Sequence, residues 1–157
     1  MSPLPHQIEI ANEQSLEIPE QMILQAPGEI LSDYGVSSSE LSIALVDDIA
    51  IRELNRKYLD HDWETDVISF VLDEQEESGI RKLVGQLIVS TDTAQRVAQE
   101  VGSSFESELM LYVIHGTLHL CGLDDHEADD IAEMRSEEAK YLNQFGYPSV
   151  ARPRDEV

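Results

Sequence analysis

Residues 113–126 read VIHGTLHLCGLDDH, and the rest of the chain can be interpreted as support for this stretch. His115 and His119 lie four positions apart, which on a helix places both imidazoles on one face, about 6 Å apart along the axis. Two neutral imidazoles in this arrangement can bind one divalent ion. Gly122 lets the chain leave the helix through a positive φ angle and fold back. The turn would then bring a third donor to the ion and leave one position open, as in catalytic zinc sites. The candidates for that donor are Asp124, Asp125 and His126.

Gly116 directly follows the first histidine, where zinc peptidases with an H-E-x-x-H motif carry their catalytic glutamate. A peptidase of that kind would lack its proton acceptor here, so we do not expect one. The glycine instead leaves room beside the metal, either for a bulky group or for another element of the fold.

Three further segments accompany this block, at residues 54–58 (LNRKY), 65–70 (TDVISF) and 85–92 (GQLIVSTD). Together with the H-G-x-L-H-L pattern that begins at His115, they resemble the YbeY family, the bacterial endoribonucleases of ribosomal RNA maturation. The resemblance extends over roughly residues 40–147. It is specific because the segments occur in combination, whereas each segment alone would be a weak signal.

The resemblance implies a single-strand-specific, metal-dependent endoribonuclease that acts on the 3′ end of the small-subunit ribosomal RNA and in ribosome quality control. It further implies one zinc ion as cofactor, ribosomal RNA and the small ribosomal subunit as partners, and a cytoplasmic location. If the family fold holds, His61 lies near the active cleft and is the candidate catalytic residue, for proton transfer or phosphate contact.

A second function is compatible with the same residues: a ribosome-associated assembly factor that keeps the metal and has weak or no nuclease activity. Leu59 favours this alternative, because it stands where the family pattern has an arginine that lines the active cleft. A leucine side chain cannot bind a phosphate group.

The third metal ligand has two interpretations. In the family pattern the third histidine lies ten residues after the first, where this chain has Asp125, while His126 lies at eleven. Either Asp125 substitutes as a carboxylate ligand, or one inserted residue brings His126 to the metal. Met134 lies nineteen residues after His115, as in the family pattern, and this ungapped register favours Asp125. An aspartate would admit manganese or magnesium more readily than a site of three histidines.

The composition predicts a single domain over residues 1–157, with residues 148–157 as a frayed tail. No apolar run approaches the length of a membrane span, and the first residues do not resemble a secretory signal. The single cysteine, Cys121, fits a reducing cytoplasm. The net charge of −22 argues against non-specific nucleic-acid binding, so an RNA enzyme of this charge needs local positive charge, a metal or a basic partner.

Hydrophobic periodicity predicts an α+β fold, in which helices cover a small mixed β-sheet and a central helix carries the metal site. Proline and glycine at positions 27 and 28 predict a kink, or two short helices, within residues 18–34. Residues 73–82 are highly charged and are interpreted as a mobile loop. Strands are expected at residues 7–11, 40–46, 65–72 and 83–90, and helices at 18–34, 49–58, from 91 or 92 to 101, from about 105 through the histidine pair, and at 128–145.

Overall fold

The structure of the chain is a computed structural model that describes residues 5–59 and 66–147. Four strands and five helices follow one another in these residues. The α+β class predicted from the sequence is confirmed. In chain order the elements are β1 (His6–Asn12), α1 (Glu20–Asp33), β2 (Ser38–Val46), α2 (Asp48–Leu59), β3 (Val67–Glu77), β4 (Ile80–Ser90), α3 (Thr91–Val101), α4 (Phe105–Leu120) and α5 (Ala128–Gln144).

The strands form one mixed sheet in the order β1-β2-β4-β3. β1 pairs with β2 and β2 with β4 in parallel, whereas β3 runs antiparallel to β4. The parallel pair β1–β2 is joined through α1, and the parallel pair β2–β4 is joined through α2 and β3. Helical crossovers of this kind cover a sheet with helices.

Alternate residues of the strands supply two apolar faces. On β2, Leu41, Ile43 and Leu45 belong to the main core, which also takes buried residues from α1, α3, α4 and α5. Val46 points the other way and packs with Ile51 of α2 in a smaller cluster. Four helices therefore cover one face of the sheet, and α2 covers the other.

Helix α4 is the central element of the main core. All six residues from 109 to 114 are buried, so this part of the helix is enclosed on every side. The Ser104 hydroxyl caps its start by accepting a hydrogen bond from the Ser107 amide. Its end is a Schellman turn, in which Gly122 (φ 105°) donates to His119 O and Leu123 donates to Leu118 O. The positive φ predicted for Gly122 is thus confirmed.

The carboxylate of Asp48 joins the start of helix α2 to the start of helix α3. Asp48 accepts hydrogen bonds from the hydroxyls of Ser90 (2.5 Å) and Thr93 (2.6 Å), and Arg96 Nη1 lies 2.9 Å from its second oxygen. Burial alone would raise the pKa of Asp48, but these hydrogen bonds and the Arg96 charge outweigh it and lower that pKa. The Ser90 hydroxyl also caps α3, which begins at Thr91, one of the two starts that the sequence predicts.

One expectation about local structure was wrong, and one alternative of a second expectation is not observed. Residues 73–82 are not a loop, because β3 and β4 continue through them as a hairpin closed by Ser78 and Gly79, both at positive φ. Such a two-residue turn matches the twist of the flanking strands. Helix α1 is one continuous helix through Pro27, so of the two alternatives expected there the two short helices are not observed. Its residues Ile23 and Ile30 are fully buried in the core, and this packing outweighs the roughly 3 kcal/mol that an interior proline costs.

Candidate metal centre

The two histidines of the H-G-x-L-H-L stretch occupy the last turns of α4. Their Nε2 atoms lie 3.0 Å apart, and the rings meet edge to face with centroids 4.6 Å apart. The side chains of His115 and His119 are 15% and 29% exposed, which leaves the nitrogen pair accessible from one side. The i, i+4 spacing thus places both imidazoles on one face, as predicted.

Asp125 completes a group of three donors. Its Oδ2 atom lies 3.5 Å from His115 Nε2 and 3.4 Å from His119 Nε2. A tetrahedral zinc ion with bonds of about 2.0–2.1 Å holds its ligand atoms about 3.3–3.4 Å apart. The three distances between the donor atoms, 3.0, 3.4 and 3.5 Å, are close to this spacing. Imidazole nitrogen and carboxylate oxygen are both zinc ligands. The group formed by these three residues could therefore hold a metal ion.

His126 lies elsewhere. Its side chain is 82% exposed, and its Nε2 atom is 3.4 Å from Asp124 Oδ1. It forms a group with Asp124 and Asp125 but does not join the two helical histidines. Of the two interpretations of the third ligand, the structure brings Asp125 to the pair; the assignment of the ligands stays a prediction. His61 and the side chain of Leu59 lie outside the described residues.

Gly116 faces the sheet. A Cβ atom added there would lie 2.9 Å from Leu87 Cδ2 and 3.0 Å from Val67 Cγ2. The Ser69 hydroxyl donates to the Gly116 carbonyl at 3.0 Å, which fixes the helix against β3. Of the two explanations offered for this glycine, close approach of another element is the one observed.

Cys121 follows the histidines but is a packing residue. It is buried, and this burial raises the pKa of its thiol to about 12. Cys121 does not belong to either of the donor groups found among the described residues. Cys121 therefore acts as a small buried hydrophobic residue of the core.

Sequence reasoning missed one residue of the site, Glu138 of α5. Its Oε2 atom lies 2.5 Å from His115 Nδ1, and its Oε1 atom accepts from Arg135 Nη1 at 2.6 Å. The signal was present in the sequence, because Glu138 lies on the apolar stripe of α5 with Met134 and Tyr141, all three of them buried. A carboxylate on a buried stripe requires a partner.

Comparison with known proteins identifies the family. A family model described as endoribonuclease YbeY matches residues 6–146, which is most of the chain. The chain belongs to the YbeY family. The family resemblance inferred from the motifs and the prediction of an enzyme of the endoribonuclease class are thereby confirmed.

Curated YbeY proteins are similar over most of their length. The endoribonuclease YbeY of Syntrophotalea carbinolica is 44% identical over 128 residues, which are 81% of this chain and 81% of that protein. The one from Geobacter metallireducens is 46% identical over 112 residues, or 71% of this chain and 74% of that protein. A solution structure of a Thermotoga maritima protein is similar with a TM-score of 0.57 and 28% identity, covering 89% of this chain and 88% of that one.

No helix within the described residues of this YbeY chain is long and apolar enough to cross a membrane.

Proposed function

We propose that this YbeY chain is a metal-dependent endoribonuclease that cuts single-stranded ribosomal RNA. Its role would be maturation of the 3′ end of the small-subunit RNA and ribosome quality control, in the cytoplasm and in contact with the small ribosomal subunit. The observation that carries the proposal is the convergence of two imidazole nitrogens and a carboxylate oxygen within 3.0–3.5 Å, in a chain of an endoribonuclease family.

His115, His119 and Asp125 are the residues that would hold the ion, with zinc as the proposed metal. When bound, such an ion supplies a Lewis acid for a phosphoryl oxygen and lowers the pKa of a bound water to about 7. Three protein ligands leave a fourth position for water or substrate. The donor side chains are 15–33% exposed, so solvent reaches the site without any opening of the core.

The protein residues have separate tasks in this proposal. The two imidazoles offer their Nε2 lone pairs, and Asp125 adds a negative charge that makes the site harder than three histidines would. His61 is proposed to contact the phosphate or to move a proton. It belongs to the segment that connects α2 to β3, and the start of β3 contacts α4 at Gly116.

The test is cleavage of a single-stranded RNA by the purified, zinc-loaded protein, compared with a duplex of the same sequence. We expect cutting of the single strand, loss of cutting after chelation, and recovery when zinc is returned. His119→Ala should abolish cleavage, whereas Asp129→Ala, an exposed aspartate at the start of α5, should not. Cleavage that survives both chelation and His119→Ala would refute the proposal.

The alternative, an assembly factor with weak or no nuclease activity, is favoured by the charge of the chain as well as by Leu59. The chain has 32 acidic residues against 10 lysines and arginines, which opposes RNA binding that rests on neutralising phosphates. Under this alternative the zinc-loaded protein binds small ribosomal subunits but leaves the RNA intact. A co-sedimentation assay run beside the cleavage assay therefore separates the two functions.

A further inference from the structure

Helix α5 contributes a buried charged group to the back of the histidine site. Glu138 is 4% exposed by its side chain and touches His115 Nδ1 with one carboxylate oxygen. Its other oxygen accepts from Arg135, which lies one turn earlier on the same helix and is 25% exposed. A chain of contacts thus runs from Arg135 through Glu138 to His115, and reaches the side of the ring opposite to Nε2.

Stability alone does not account for a charge at this position. Removing a carboxylate from water is costly, and buried ion pairs are often replaced by apolar residues without loss of stability. The neighbours of Glu138 on the buried face of α5 are Met134, Tyr141 and Leu142. An apolar side chain would continue that face, so the gain from the carboxylate must come from its contact with His115.

That contact determines which nitrogen of His115 carries the proton. An ionised carboxylate only accepts hydrogen bonds, so Nδ1 must be the protonated nitrogen, and Nε2 then presents its lone pair. His115 Nε2 is the atom that lies 3.0 Å from His119 Nε2 and 3.5 Å from Asp125 Oδ2. A carboxylate behind a histidine also orients the ring and makes the imidazole a stronger donor toward a metal.

We infer that Glu138 and Arg135 are positioning residues of the metal centre. Glu138 holds His115 in the Nδ1–H tautomer with Nε2 directed at the metal position, and Arg135 holds the second carboxylate oxygen of Glu138 in place. This inference rests on the metal site of the proposed function, but not on RNA cleavage.

The test compares metal binding and folding in separate measurements. Zinc affinity is measured by competition with a chelator, the ligand field by the visible absorption of the cobalt-loaded protein, and folding by the thermal midpoint of the metal-free protein. Glu138→Gln should weaken zinc binding about 10- to 100-fold and shift the cobalt bands. Glu133→Gln, the same change at an exposed position of α5, should alter neither.

A double variant separates positioning from packing. Arg135→Met alone leaves an uncompensated buried carboxylate and should lower the thermal midpoint of the metal-free protein. Adding Glu138→Leu removes that carboxylate and should restore the midpoint, while zinc affinity stays as weak as in Glu138→Gln. A merely structural pair would recover affinity together with stability.

Two outcomes separate a failure of the positioning role from a failure of the metal site. If Glu138→Gln binds zinc as tightly as Glu133→Gln does, with unchanged cobalt bands, the positioning role is wrong and the metal site stands. If the unmodified protein binds neither zinc nor cobalt at this site, the metal part of the proposed function fails as well.

Discussion

The carboxylate of Asp125 is the residue-scale feature on which the chemistry of the site depends most. It is the group nearest to both Nε2 atoms among the alternatives for the third ligand, while His126 points into solvent. The difference between the two interpretations is a single position in the loop after Gly122, so substitutions at the two positions can separate them.

We expect Asp125→Ala to weaken zinc binding by more than about 100-fold, since even the loss of a group behind a ligand costs about 10- to 100-fold. His126→Ala should retain the ion with unchanged affinity. Metal content after dialysis, together with chelator competition, measures both. Release of the ion by His126→Ala with retention by Asp125→Ala would show instead that the loop carries one inserted residue.

Gly116 is the second residue at which a substitution has a specific expected effect, here on stability. In Gly116→Ala the new methyl group would lie 2.9 Å from Leu87 Cδ2, within a core that holds β3, β4 and α4 together. We expect a net loss of about 1–2 kcal/mol, because overpacking of about 1–3 kcal/mol exceeds the helix propensity that alanine gains. Chemical denaturation of the metal-free protein measures this loss in the free energy of unfolding.

Gly28→Ala is the matched control for this substitution. Gly28 is also inside a helix, but its nearest neighbour to an added Cβ is His6 Cβ at 3.3 Å. The gain in helix propensity is the same and the tight contact with His6 Cβ offsets it, so this variant should be close to the unmodified protein in stability. Equal stability of the two alanine variants would mean that α4 does not press on the sheet at Gly116.

At the scale of elements, Asp48 joins the starts of α2 and α3. Because hydrogen bonds and Arg96 lower its pKa below the ordinary value of 3.8, the ionised form stabilises the folded state. This contribution is fully present above the unfolded-state pKa and is lost as pH falls through the lower folded-state pKa. Asp48→Asn should therefore cost roughly 1–2 kcal/mol at pH 7, and the difference from the unmodified protein should shrink below about pH 4.

This difference is measured from the thermal midpoints of Asp48→Asn and of the unmodified protein between pH 7 and pH 3. Asp129→Asn is the control for the loss of one exposed carboxylate. A stability difference that is the same at pH 7 and at pH 3 would show that the ionised form of Asp48 is not what stabilises the junction.

The elements that the sequence predicts well are those with several concurrent signals. Helix α4 combines an apolar stretch, the cap Ser104 and the exit at Gly122, and β2 shows strict alternation over Leu41, Ile43 and Leu45. The outer part of the β3–β4 hairpin lacks such signals, because both faces are exposed and neither residue type nor period marks a strand there. The outer half of β3 is extended because it pairs with β4.

The candidate site was likewise predictable only in part. His115, His119 and Asp125 follow from local spacing and from register along the chain. The contact of Glu138 does not, because it depends on how α5 packs on α4, and the two residues are 23 positions apart in sequence. The apolar stripe of α5 marks Glu138 as unusual, but the identity of its partner is a property of the tertiary structure.

At the scale of the whole molecule, the net charge of −22 makes the stability of the protein sensitive to salt. Self-repulsion of a compact, strongly acidic protein lowers its stability, and dissolved salt screens that repulsion. We expect the thermal midpoint of the metal-free protein to rise by a few degrees between about 10 mM and 0.5 M sodium chloride, since about 1 kcal/mol corresponds to 2–4 °C at this size.

Potassium chloride at the same concentrations should give the same rise, because screening does not depend on the identity of the cation. A midpoint that falls with salt would show that surface ion pairs, such as Arg81 with Glu74, contribute more than the net charge.

The hairpin that replaces the expected loop also places an acidic strand at one edge of the sheet. β3 is the last strand of the sheet, and an open strand edge can template pairing with a second chain and lead to fibres. Asp73, Glu74, Glu76 and Glu77 line its outer half, so two copies aligned edge to edge would bring like charges together. The run of acids that made these residues resemble a loop in the sequence therefore opposes pairing between two such edges.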